Sequence, residues 1–183
     1  MTSQRTPSQT IGPFFAIAMP RSGEELVVPA GHPDGFWLRG RVTDGAGDPV
    51  PDAMIETWQA GPDGRFADDD RGDGGSFQGF GRAPSDADGR YAIFTLKPGR
   101  VHDAKGALQA PHIDVALFAR GLLRQLVTRV YFADEAEANA ADPVLALVDD
   151  PIARATLVAD RSEDGYVFDI RLQGEGETAF FEL

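Results

Sequence analysis

His112-Ile113-Asp114-Val115-Ala116-Leu117 is the stretch whose reading decides the fold. Ile113, Val115 and Leu117 alternate with His112 and Asp114, the period of two that puts an apolar set on one face of a strand and a polar set on the other. The polar pair sits at i and i+2 and can point at one metal. A lone histidine on a strand is more commonly satisfied by hydrogen bonds, and both readings stay open at this point.

Working outward, short β-branched and aromatic runs recur from residue 36 onward: Phe36 to Val42, Ala53 to Ala60, Tyr91 to Leu96, His112 to Ala119, Leu123 to Phe132, Tyr166 to Leu172 and Thr178 to Glu182. Their joints are rich in Gly, Asp and Pro, as in Asp44-Gly-Ala-Gly-Asp-Pro49 and Asp86-Ala-Asp-Gly89. Evenly spaced strands with this punctuation predict an all-β antiparallel sandwich. Asp134 to Asn139 reads as a short helix, with Asp134 as its cap and Glu135 and Glu137 in its first turn.

Two segments do not read as strands. Residues 1–35 form an N-terminal arm ahead of a domain spanning 36–183, and the arm's apolar part, Gly12-Pro13-Phe14-Phe15-Ala16-Ile17-Ala18-Met19-Pro20, is too short to pack on itself. Such a segment must lie on its own domain or on a partner chain. Gly61 to Pro84, with Asp68-Asp-Asp70 and Asp73-Gly-Gly75, reads as a long surface loop of the kind that serves a site or an interface. It lacks the alternating ligands and closing Glu of a calcium loop.

The 183 residues suit one domain with a core of its own. A net charge of -12, from 29 acidic against 17 basic residues, argues against nucleic acid as a partner and requires a local cationic exception wherever an anionic ligand binds. The chain has no cysteine, which excludes disulfide scaffolds and thiolate metal sites. Neither a signal-peptide core nor an apolar run near the roughly 20 residues of a membrane span occurs, so a soluble, cytoplasmic protein is expected.

Eight motifs remain: Thr6-Pro-Ser-Gln-Thr-Ile-Gly-Pro-Phe14, Leu38-Arg-Gly-Arg-Val42, Ile55-Glu-Thr-Trp-Gln-Ala60, Gly79-Phe-Gly-Arg82, Asp88-Gly-Arg-Tyr91, Leu96-Lys-Pro-Gly99, Ala110-Pro-His-Ile113 and Thr128-Arg-Val-Tyr-Phe132. Their order along nearly the whole chain resembles the intradiol ring-cleaving dioxygenases. Some of them also occur in transthyretin-like and carboxypeptidase-regulatory sandwiches, which keeps a non-enzymatic ligand-binding sandwich open as an alternative. The arm, the Trp-Gln dipeptide and the Pro-His-Ile strand together are the specific part.

The resemblance implies a transthyretin-like β-sandwich and, in members built of two similar chains, an iron-bearing beta subunit whose ferric ion is held by two tyrosines and two histidines. Carried over by position, the second tyrosine falls at Val101, the two histidines fall at His112 and Asp114, and the first tyrosine has no counterpart because no tyrosine precedes Tyr91. Ferric iron needs several hard anionic or imidazole donors, and one His with one Asp does not make that set. The resemblance therefore implies a metal-free alpha subunit, bound to a beta partner in alpha-beta protomers that assemble further. A self-sufficient enzyme with unusual iron ligands is the other enzymatic reading.

The resemblance further implies that Thr10, Gly12, Pro13 and Phe14 of the arm line the partner's substrate pocket. On the last long strand Gln125, Val127, Arg129 and Tyr131 share a face opposite Leu126, Val130 and Phe132. Arg129 is the second pocket candidate, because a guanidinium fork pairs with the carboxylate of an aromatic acid and stays charged.

Overall fold

Glycine and proline punctuation delivers nine strands among the residues that the structure, a computed structural model, describes, namely 10, 12, 15–66 and 77–182. They are β1 (Phe36–Thr43), β2 (Met54–Trp58), β3 (Phe80–Pro84), β4 (Arg90–Thr95), β5 (His112–Phe118), β6 (Leu126–Phe132), β7 (Val158–Ser162), β8 (Gly165–Val167) and β9 (Ile170–Arg171). Three short helices join them: α1 (Phe15–Ala18), α2 (Ala136–Ala140) and α3 (Pro151–Ala155).

The strand order is β3-β2-β5-β6-β7-β8-β1-β4, with β9 beside β1. The sheet bends at β7: Val158 and Ala159 pair with Tyr131 and Phe132 of β6, whereas Asp160 to Ser162 pair with β8. Two layers result, β3-β2-β5-β6 and β8-β1-β4, and their inner faces supply the core. Leu38, Val42, Ile55, Ile93, Ile113, Leu117, Val130, Phe132 and Ile170 are all fully buried there. Each such side chain stabilises the fold by about 1.5–3 kcal/mol before entropy is counted.

The expectation of a purely antiparallel sandwich is corrected: β6–β7, β1–β8 and β1–β9 pair in parallel. The physical reason for the first is its connection, residues 133–157, which carries α2 and α3 and is long enough to bring the chain back in the same direction. β1 and the link between β8 and β9 approach closely at Gly40, where a Cβ would lie 1.8 Å from the Phe168 carbonyl oxygen, so no other residue fits.

Between the end strands β3 and β4 runs the segment from Glu24 to Val27. The Glu24 carbonyl accepts from the Arg82 N–H at 2.8 Å, the Glu25 carbonyl accepts from the Phe94 N–H at 2.8 Å, and the Val27 N–H donates to the Phe94 carbonyl at 2.9 Å. Val27 belongs to the main core. Within the arm, the residues from Glu24 onward thus pack on their own domain and nearly close the sheet.

Three further expectations change. β3 lies inside what reads as loop, because its inward residues are Gly81 and Ala83, which announce no apolar face. Gly81 is small for a reason: a Cβ there would meet Val27 Cγ2 at 2.7 Å and Thr57 Oγ1 at 2.8 Å. The expected strand at Thr178 to Glu182 reduces to a single bridge between Val127 and Phe181. Asp134 caps no helix; it accepts from Tyr166 Oη at 3.0 Å, Lys97 Nζ at 3.0 Å and Arg161 Nη1 at 2.9 Å. The Asp-rich run from 68 to 73 lies outside the described residues. No helix among the described residues is long and apolar enough to cross a membrane.

Candidate functional site

The outer face of the β5–β6 hairpin carries the polar residues that the alternation turned away from the core. Across this hairpin His112 pairs with Tyr131 and Asp114 with Arg129, and Trp58 of β2 pairs with Asp114 on the other side. Side chains of paired residues share a face, so Trp58, Asp114 and Arg129 form one row and His112 with Tyr131 the next. The second row is covered. The β6–β7 crossover lays Leu145 and Leu157 over Ala110 and Tyr131, leaving Tyr131 fully buried and His112 nearly so.

Asp142 holds that cover down. Its carboxylate accepts from the Ala110 N–H at 2.7 Å, Tyr131 Oη at 3.1 Å, and the Val144 and Leu145 N–H groups at 2.8 Å each. Burial pushes the Tyr131 hydroxyl far above its ordinary range, so it acts here as a proton donor.

In the first row, Arg129 Nε donates to Asp114 Oδ1 at 2.7 Å and Nη1 donates to Gln109 Oε1 at 3.2 Å. Burial works against the charge on Arg129, but Asp114 and Tyr131 beside it together outweigh that cost and keep the guanidinium protonated. His112 Nδ1 lies 2.8 Å from the Ala110 carbonyl oxygen, which can only accept, so the proton sits on Nδ1. Burial, and then the positive charge of Arg129, push the His112 pKa below its ordinary value, so the ring is neutral at pH 7.

The sign of the resulting pH dependence follows. Because the folded pKa lies below the unfolded one, the unfolded chain binds more protons between the two, and stability falls as the pH drops below about 6.5. In His112→Gln this part of the acid-side loss should vanish, which denaturant titrations from pH 7.5 to 5 would reveal. An unchanged slope would show that His112 does not carry it.

The positions carried over from the iron ligands do not fit a ferric ion. Val101 is a buried aliphatic residue whose carbonyl accepts from the Gln109 N–H at 2.8 Å, and Asp114 is held by a guanidinium. Among the described residues no three His, Cys, Asp or Glu side chains gather as a metal would require.

Of the arm residues, Thr10 Oγ1 accepts from the Gly121 N–H at 3.2 Å, in the turn between β5 and β6. Gly12 is exposed, its carbonyl accepting from the Phe15 N–H at 3.2 Å, while Pro13 and Phe14 lie outside the described residues. His112, Asp114 and Arg129 are thus brought together, whereas Thr10 meets the same hairpin at its turn, beside Arg120, which pairs with Asp52. Gln109, Tyr131 and Asp142 were not legible as partners of this site. Their contacts join residues up to 32 positions apart, as between Ala110 and Asp142, and nothing local signals them.

The family model described as Dioxygenase matches residues 10–174. The protocatechuate 3,4-dioxygenase alpha chain of Pseudomonas putida is 44% identical over 97% of this chain and 96% of its own length. That of Burkholderia cepacia is 45% identical over 100% and 99%. The Burkholderia cepacia beta chain of the same enzyme is also similar, at 36% over 77% of this chain and 65% of its own. Among solved structures, the dioxygenase domain of a dioxygenase carbohydrate-binding protein fusion from Streptomyces sp. SirexAA-E superposes with a TM-score of 0.56, at 26% identity over 96% of this chain and 100% of that one. With its β5–β6 hairpin in place and its sequence matched over nearly its whole length, the chain belongs to the intradiol ring-cleaving dioxygenase family.

Proposed function

We propose that this chain is the alpha subunit of a protocatechuate 3,4-dioxygenase, which carries no iron itself and works with an iron-bearing beta subunit. The holoenzyme joins dioxygen to protocatechuate, opening the ring between its two hydroxyl-bearing carbons to give 3-carboxy-cis,cis-muconate. The observation that carries this reading is the full-length similarity to alpha chains in a chain whose Asp114 pairs with Arg129 instead of being free for a metal. The purified chain should contain no stoichiometric iron and turn over no protocatechuate, and adding the beta chain should bring activity up by orders of magnitude. Iron near one per chain, with turnover in the absence of any beta chain, would refute it.

In this reading Thr10, Gly12, Pro13 and Phe14 wall the partner's pocket and Arg129 faces the substrate carboxylate. Phe15 is already buried on this chain, so the rest of the apolar stretch up to Pro20, with Met19 exposed, is what docks on the partner, since leaving a large apolar side chain in water costs about 1.5–3 kcal/mol. Deleting residues 1–20 should therefore weaken assembly and raise KM; unchanged assembly and kinetics would assign the arm no part in the site. The protomers are placed in the cytoplasm, which fractionation against a cytoplasmic marker checks. The two layers joined at β7 are read as a transthyretin-like sandwich, a description that a crystal structure with β3 paired directly to β4 would replace.

A further inference from the structure

Arg82 closes the Gly79-Phe-Gly-Arg82 motif, which the assignment above leaves without a role. Gly81 faces inward against Val27, so the two-residue period of β3 points Arg82 outward, beside Glu56, its register partner on β2. There Nε and Nη2 donate to Glu56 Oε1 at 2.8 and 2.6 Å, and Nη1 donates to Glu24 Oε2 at 3.2 Å. The Arg82 N–H donates to the Glu24 carbonyl at 2.8 Å, so main chain and side chain of Arg82 grip the same residue. The guanidinium carbon also stands 5.3 Å from the centre of the Phe80 ring, which helps to fix the plane of the fork. These three charged side chains are only 17–24% exposed, so solvent screens them far less than it screens a surface pair. Glu24 passes the hold on to the arm. Its Oε2 also accepts from the Arg21 N–H at 3.2 Å, and its own N–H donates to the Arg21 carbonyl at 3.3 Å, which closes the turn from 21 to 24. Ahead of that turn stand Pro20 and α1, and Arg82 Nη1 comes within 3.5 Å of the Met19 carbonyl oxygen. Both ends of the bend from Met19 to Glu24 therefore meet one guanidinium.

We infer that Arg82 is the positioning residue of the arm: by bridging Glu56 of the sheet to Glu24 and Met19, it sets the bend from which α1 and the arm ahead of it run. Without Arg82 two carboxylates would face each other across the space that one guanidinium fills, and their repulsion would push Glu24 away from Glu56. Burial works against the charge on Arg82, but Glu56 and then Glu24 outweigh that cost and keep it protonated. Lysine is no equal substitute. An ammonium is a point charge without the fork that lets Nη1 face Glu24 while Nε and Nη2 face Glu56. The kinetic consequence rests on the proposed function, in which the arm walls the partner's pocket: an arm released from its bend no longer shapes that pocket, and KM rises.

Trypsin cleavage after Arg21, an exposed arginine in the held turn, reads the clasp in the isolated full-length chain. Loss of residues 1–21, followed by mass, should run on the order of tenfold faster in Arg82→Met and in Glu24→Gln than in the parent, with Arg82→Lys between them. Cleavage after Lys105, in another exposed turn, should keep the parent rate. In the assembled enzyme Arg82→Met should raise KM for protocatechuate on the order of tenfold with kcat nearly unchanged, and should add nothing in a chain already lacking residues 1–20. That truncation leaves Glu24 to Val27 in the sheet, and circular dichroism verifies the fold of each variant. If Arg82→Met does not fold, Glu24→Gln carries the same cycle, because its amide oxygen still accepts from the Arg21 N–H. Equal cleavage after Arg21 in parent and variants would overturn the inference. So would an equal acceleration after Lys105, or a rise in KM as large in the truncated chain as in the full-length one. A truncation that is itself kinetically silent fails the subunit assignment, and the cleavage assay, which needs no beta chain, still decides the clasp.

Discussion

Asp142→Ala should destabilise the chain by about 3–5 kcal/mol, because a buried carboxylate with four donors around it is removed at once. The Ala110, Val144 and Leu145 N–H groups and the Tyr131 hydroxyl would each lose an acceptor in a place where water has little access. Each buried donor left orphaned costs about 1–3 kcal/mol, and the total stays at the low end of the sum over four because the Val144 N–H is only part-buried and water can reach it. Asp142→Asn should also be destabilising, by less. Its amide keeps one acceptor oxygen, yet sets an NH2 against one of the donors that the second carboxylate oxygen now satisfies. Chemical denaturation of the three proteins measures both differences, and for a chain of this length the alanine variant should melt roughly 6–20 °C lower. A loss below about 1 kcal/mol would mean that the crossover is held by its leucines and that Asp142 is incidental.

Arg129→Ala in the assembled enzyme should lower kcat/KM for protocatechuate about ten- to a hundredfold, the equivalent of about 1.5–3 kcal/mol for a lost charge-assisted hydrogen bond. Catechol, which has no carboxylate, should suffer less. The geometry adds a second consequence, because the same change strips Asp114 and Gln109 of their partner. The double variant Arg129→Ala with Asp114→Asn removes that unpaired carboxylate, so a kinetic defect that persists in it belongs to the substrate contact. Arg129→Lys keeps the charge but not the fork and should recover only part of the loss. An equal loss for both substrates, rescued in the double variant, would assign Arg129 to the Asp114 ion pair alone.

The parts of this fold that were readable in advance are those in which side-chain period carries the signal. β5 shows it in six residues, and β1, β2, β4 and β6 were placed within a residue or two except where a loop residue shares the strand's composition. β3 and β7 escaped for opposite reasons. In β3 close packing of Val27 onto Gly81 demands a missing side chain, so tight burial looks like a loop. In β7 only Val158 and Ala159 are apolar, because the strand crosses from one layer to the other and its far half is exposed. The arm was read as one unit, whereas Glu24 to Val27 belong to the sheet through backbone hydrogen bonds that place no demand on residue type.

By itself the sequence determined the strand-rich class and the outward direction of His112, Asp114 and Arg129, which follow from a two-residue period and do not depend on distant parts of the chain; that the iron-ligand positions fall on Val101, His112 and Asp114 is what the family resemblance implies. Tertiary structure alone decided what those residues do. It set Arg129 against Asp114 through strand register, buried His112 under a crossover pinned by Asp142, and packed the loop at Gly61 against the turn at Gly99. Register, crossover and loop packing arise from the simultaneous satisfaction of many weak contacts between segments far apart in sequence, and no single segment encodes them.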